Sequence, residues 1–159
     1  MLPKPALKYL LAALEGTPFV LKTLTASYTV DSEVWDIRPD PDRFSLREVA
    51  AHLADWDGIF HTRIHRILHE EHPALEDLDE GLIAIERKYA ESDPIASLLR
   101  FQKERQKLIA MLTALTEEQW GRTGFKEMVG DLSVEQMAVL ILGHDGYHAE
   151  QFARYLSLD

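Results

Sequence analysis

Residues 133–156, SVEQMAVLILGHDGYHAEQFARYL, decide the fold. Ser133 and Gln136 stand three apart ahead of an apolar run, the pattern of a capping box that opens a helix. At about 100° per residue, Val134, Met137, Ile141, Phe152 and Tyr155 share one stripe, so the predicted helix turns that face to a core and runs to about Leu156. His144 and His148 lie inside the stripe, between Ile141 and Phe152. An imidazole placed there must find partners for its ring nitrogens. At i and i+4 the two rings stand one turn apart on one face, which suits one metal ion; a hydrogen-bonded core pair is the other reading.

Upstream, Ser45 and Glu48 form another capping box, for a long helix predicted to reach about Glu70 and ended by Pro73. Val49, Leu53, Trp56, Phe60 and Ile67 define its core stripe, and His52 sits at the edge of it. A compact bundle can therefore deliver His52 to the same point as His144 and His148. Three imidazoles with no thiol leave a coordination position open, and an open position is what a catalytic metal needs. His61, His65 and His69 make a ladder at i, i+4 and i+8, but they lie about 120° or more from the stripe centre. They share a face with Arg66 and Glu70 and read as solvated.

The rest of the chain is also helical in period. A short helix is expected from about Lys4 to Glu15, broken at Gly16, with Thr17 and Pro18 starting another to about Tyr28. An irregular stretch from Asp31 to Ser45 follows. The segment from Asp77 to Glu91 reads as helical, and Asp93 with Pro94 opens a helix through Leu112 or Leu115. Thr116 caps a short turn, TEEQW, before a loop containing Gly121, Gly124 and Gly130. There is no sustained period-two alternation and no Asn-Gly or Asp-Gly hairpin turn, so strands are not expected. These signals predict an all-α fold: an antiparallel four-helix bundle with short extra helices, residues 1–159 forming one domain.

Composition narrows the function. A net charge of −10 over 159 residues opposes nucleic acid as a partner, because phosphate contacts need a concentrated basic surface. Cysteine is absent, which removes disulfides, zinc ribbons and protein thiol nucleophiles and fits the cytoplasm. Met1 to Gly16 is amphipathic, is interrupted by Lys8 and has no cleavage motif, so it is not a secretory signal. No apolar run is long enough to span a membrane.

Several residues near the histidines invite second roles. Asp55, one turn after His52, can complete the coordination or act as a general base. Asp145, Glu150 and Gln151 read either as helix-surface groups or as partners that orient an imidazole. Arg105 falls on the apolar stripe of its helix, among Leu98, Phe101, Leu108, Ile109 and Leu112. It reads as a cation lining the metal pocket for an acidic substrate, or as a snorkelling arginine.

The stretches EGTPFVLKTL, FSLREVAAHLADWD and LSVEQMAVLILGHDGYHAEQF resemble the DinB-like superfamily, the YfiT-type metal-binding four-helix bundles, over nearly the whole chain. The family pattern is a histidine near the start of the second bundle helix and H-x-x-x-H on the fourth, and His52, His144 and His148 match it position for position. One departure is Phe44, where many relatives have tryptophan before the capping residue. The resemblance implies a divalent metal such as nickel, zinc or manganese, a homodimer, and thiol-dependent transferases or isomerases that use a low-molecular-weight thiol such as bacillithiol or mycothiol.

The leading expectation is therefore a metal-dependent transferase or hydrolase acting on a small electrophilic molecule, by thiol-dependent S-transfer or by hydrolysis. Any thiol would be a cosubstrate, since the chain has none. The alternative is a non-catalytic stress-response bundle with a structural ion. A ferritin-like di-metal site would need paired Glu-x-x-His motifs, and only Asp145-x-x-His148 approximates one.

Overall fold

Four long helices carry the fold in the computed structural model, which describes residues 2–158. They are α1 (Lys4–Leu24), α2 (Leu46–His69), α4 (Pro94–Thr113) and α6 (Val134–Leu156). The short helices α3 (Glu80–Glu86) and α5 (Glu117–Gly121) lie in the connections. α2 packs on α4 and α6, and α1 completes the ring by packing on the same two helices. The core runs between them as two clusters, one around Leu14, Phe60, Ile64 and Leu108, the other around Leu21, Trp35, Leu53 and Phe101.

The helix starts follow their caps. Ser45, Thr116 and Ser133 each close a reciprocal capping box with the residue three positions on, and the Asp93 carboxylate accepts from the Ile95 and Ala96 N–H groups ahead of α4. The caps satisfy N–H groups that no helical carbonyl reaches.

α1 departs from expectation. One continuous helix replaces two, with Gly16 and Pro18 inside it. Pro18 has no N–H to give the Leu14 carbonyl, which leaves that carbonyl open in the helix interior. Arg105 of α4 fills the place, donating from Nη1 to the Leu14 oxygen at 2.6 Å. A tertiary contact thus offsets the hydrogen bond that proline removes.

The bundle's neighbours are of two kinds. Contacts advance together along α2 and α4, with Asp55 meeting Arg100 and Asp57 meeting Arg105, so these helices run in the same direction. Along α2 and α6 they run opposite, with Phe44, just ahead of α2, against Gln151 and Phe60 against His144. The long crossover of residues 70–93 permits the parallel pair, since a tight turn would return the chain antiparallel.

Strands are present where none were expected. β1 (Ala74–Leu75), β2 (Thr123–Lys126) and β3 (Gly130–Ser133) form a small sheet in that order, β1 parallel to β2 and β2 antiparallel to β3. Gly130 turns the hairpin at φ +86°, a region side-chain-bearing residues avoid. At Gly124 a Cβ would meet both the Ile67 side chain and the Pro73 carbonyl at 3.0 Å, so only glycine lets β2 lie against the end of α2. The segment expected to be helical from Asp77 to Glu91 divides into α3 and a single turn at Tyr89–Glu91, separated by Lys88 at φ 52°.

Candidate metal centre

The Ser45 cap sets α2 so that His52 comes two turns in, and the Ser133 cap places His144 and His148 in the middle of α6. Across the α2–α6 contact the three rings converge. One ring nitrogen of each lies within 4.8 Å of those of the other two, and the Nε2 atoms of His52 and His144 are 2.8 Å apart. A shared divalent ion with bonds of about 2.0–2.1 Å brings neighbouring nitrogens to about 3 Å, so the donor set fits such an ion. His52 is fully buried and His148 nearly so.

Aromatic rings wall the cluster. Trp56 stacks on His52 at 4.4 Å between centroids, while Phe44 lies 5.5 Å from His52 and Phe60 presents an edge to His144 at 5.7 Å. Desolvation dominates the electrostatics. Burial pushes His144 down to about 4 and His148 down to about 3. His52 is lowered by burial and then by its two imidazole neighbours. All three rings are therefore neutral near pH 7, the form that offers a lone pair.

Gln151 orients one of them. Its Nε2 donates to the Phe44 carbonyl at 2.6 Å, which turns its Oε1 toward His148 Nδ1 at 3.3 Å. The Nδ1 of His148 must then carry the proton, leaving the Nε2 lone pair for a ligand. Arg43 also donates to that Oε1, at 3.2 Å, while its guanidinium rests over the Tyr147 ring. The Nδ1 of His52 is buried with no hydrogen-bond partner among the described residues, so nothing in the chain diverts that ring from the cluster.

The two other sequence candidates are not among the clustered donors and are held by other groups, although the charge of Arg105 adds to the lowering of His144. Arg105 is not a free cation in a pocket. It is 1% exposed, with paired hydrogen bonds to Asp57 at 2.7 and 2.8 Å, to Asp145 at 2.5 and 2.8 Å, and a further one to the Leu14 carbonyl. Every helix of the bundle contributes to this clasp. Burial opposes its charge, but the two carboxylates hold it and raise the guanidinium further above its ordinary value. Asp57, in the same clasp, is pushed up to about 6 by burial. Asp55 is turned away from the imidazoles as well. Tyr89 donates to it at 2.7 Å, and Arg87 and Arg100 pair with it at 2.8 and 2.5 Å. Although burial works against ionisation, these partners keep its carboxyl below the usual range. It braces the crossover against α2 and α4.

His61, His65 and His69 lie on the outside of α2 as expected, with the last two rings stacked at 4.1 Å. Sequence reasoning missed Asp57, whose only signal was a carboxylate on a core stripe, and missed Arg43 and Phe44 as neighbours of the site.

Comparison with known proteins places this geometry in a family. A model of the DinB superfamily matches residues 13–152. The chain belongs to the DinB superfamily. Among solved structures it is similar to YfiT from Bacillus subtilis, described as a probable metal-dependent hydrolase with an unusual four-helix bundle topology. The two share 25% identity and superpose with a TM-score of 0.89, over 98% of this chain and 88% of the other. No curated protein matches. In this DinB chain His52, His144 and His148 are the imidazoles that converge.

Proposed function

We propose that this protein is a metal-dependent enzyme that holds one divalent ion through His52, His144 and His148 and acts on a small electrophilic molecule. The observation that carries the reading is the convergence of three neutral, desolvated imidazole nitrogens from two helices. Three protein ligands suit a catalytic ion, whereas structural zinc sites are closed by four. A divalent ion there supplies Lewis acidity, lowering the pKa of a water or thiol beside it toward neutrality. Membership of the DinB superfamily and the likeness to YfiT support hydrolysis as the first reaction to assay. Thiol-dependent S-transfer is the second. There the sulfur of a low-molecular-weight thiol would bond to the electrophile and displace its leaving group, which departs with the thiol's proton, the chain itself having no cysteine to offer.

The chain's own residues have plain tasks. Gln151 keeps the His148 lone pair directed inward, and Phe44, Trp56 and Phe60 exclude water behind the rings. The reading includes a homodimer. Val139 and Leu140 are each about half exposed on α6, beside Leu2 and Val129 along an apolar groove of about 500 Å³, and a second copy would cover them.

The test combines elemental analysis of native protein with hydrolase and thiol-transfer screens, with and without chelator. Chelator-sensitive turnover supports the reading. A fall in melting temperature on chelation without turnover in any assay would make the ion structural instead.

A further inference from the structure

A second site lies away from the imidazoles. A groove of about 650 Å³ runs along the outer face of α2, bounded by α4 and by the crossover near Leu78. Arg63, Arg66, Arg87 and Arg100 line it, against the carboxylates of Asp55, Glu76 and Glu104. That balance is unusual for a chain of net charge −10. Glu104 is neutralised by Lys107 at 2.7 Å, and Arg66 by Glu70 at 2.9 Å. Arg87 and Arg100 share the single carboxylate of Asp55, which leaves one positive charge over. Arg63 donates only to the Glu76 backbone carbonyl and has no ion pair among the described residues. Burial disfavours its charge and the nearby Glu76 carboxylate offsets part of that, so the groove as a whole keeps one positive charge for a bound anion to answer. The floor is apolar, with Ala54 and Ile59, and at Gly58 no side chain fills the space where a Cβ would stand.

We propose that this groove binds a small organic oxyanion, its phosphate or carboxylate head held by Arg63 with Arg87 and Arg100, and its apolar part on the floor at Gly58 and Ile59. A planar guanidinium matches either head with two parallel hydrogen bonds. None of the three clustered histidines lines the groove, so the site stands independently of the metal centre.

Calorimetric titration of the full chain with phenyl phosphate, and in a second arm phenylacetate, tests it. Saturable binding is expected, retained in His144→Ala and weakened at least about tenfold by Arg63→Gln at unchanged melting temperature. Gly58→Leu introduces a better helix former and should block the floor, abolishing binding without touching an arginine. The tighter arm identifies the head group. Absence of saturable binding up to about 10 mM in both arms overturns the proposal. So does binding lost in His144→Ala yet indifferent to Arg63→Gln and Gly58→Leu, which would place the anion at the metal centre.

Discussion

His144 is the least buried of the three clustered rings, and without it only two imidazole ligands remain, one on α2 and one on α6. His144→Ala should therefore leave purified protein nearly metal-free while preserving its circular dichroism. Full occupancy in that variant would remove His144 from the ligand set. Gln151 acts one bond further out. Gln151→Leu takes away the acceptor for the His148 Nδ1 proton, and loss of such a partner typically weakens metal affinity about 10–100-fold. A competition titration against a chelator of known strength reads this directly, and Gln151→Glu, which keeps an acceptor, should recover part of the loss.

At the scale of elements, the Arg105 clasp sets the expectation. Arg105→Met leaves Asp57 and Asp145 facing each other in the core, and breaking a buried pair in this way costs about 3–5 kcal/mol. Urea unfolding should show that loss, and replacing both aspartates with leucine in the same chain should restore much of it. A triple variant no more stable than Arg105→Met would contradict the charge argument. Local signals were readable in the sequence: the Ser45 and Ser133 capping boxes begin their helices where their spacing placed them, and Thr116 caps a short helical turn. The inward stripes also put His52, His144 and His148 together. What could not be read was non-local. The Leu14 carbonyl freed by Pro18 is satisfied by a residue ninety-one positions away, so Gly16 and Pro18 looked like a break. The hairpin lacks a two-residue turn signature, and its strands are held by Gly124 nestling on Ile67 and Pro73. Asp55 carries a helix periodicity that says nothing of Tyr89, Arg87 and Arg100.

For the whole molecule, acidity is the simplest probe. Burial holds His144 at about 4 and His148 at about 3, with His52 lowered too, so the unfolded chain takes up protons first as pH falls below about 6.5. Their contribution is complete above that pH and lost below it. Asp57, raised to about 6, works oppositely between about pH 4 and 6, because there the folded chain keeps its proton longer. At about 1.4 kcal/mol per pH unit for each group, three imidazoles outweigh one carboxyl by about 3 kcal/mol per unit. The urea midpoint of metal-free protein should therefore be lower at about pH 5 than at about pH 7; an unchanged or higher midpoint would contradict this account. Light scattering should give a dimer mass that Leu140→Glu reduces to that of one chain. The clasp also bears on how amphipathic helices choose among packings. Rival arrangements could hide the same greasy stripes, and the one observed brings positions 14, 57, 105 and 145 to a common point. An order of helices that parted Arg105 from both aspartates would strand a guanidinium without counterions, so a misfolded packing of that kind carries a penalty the native one avoids.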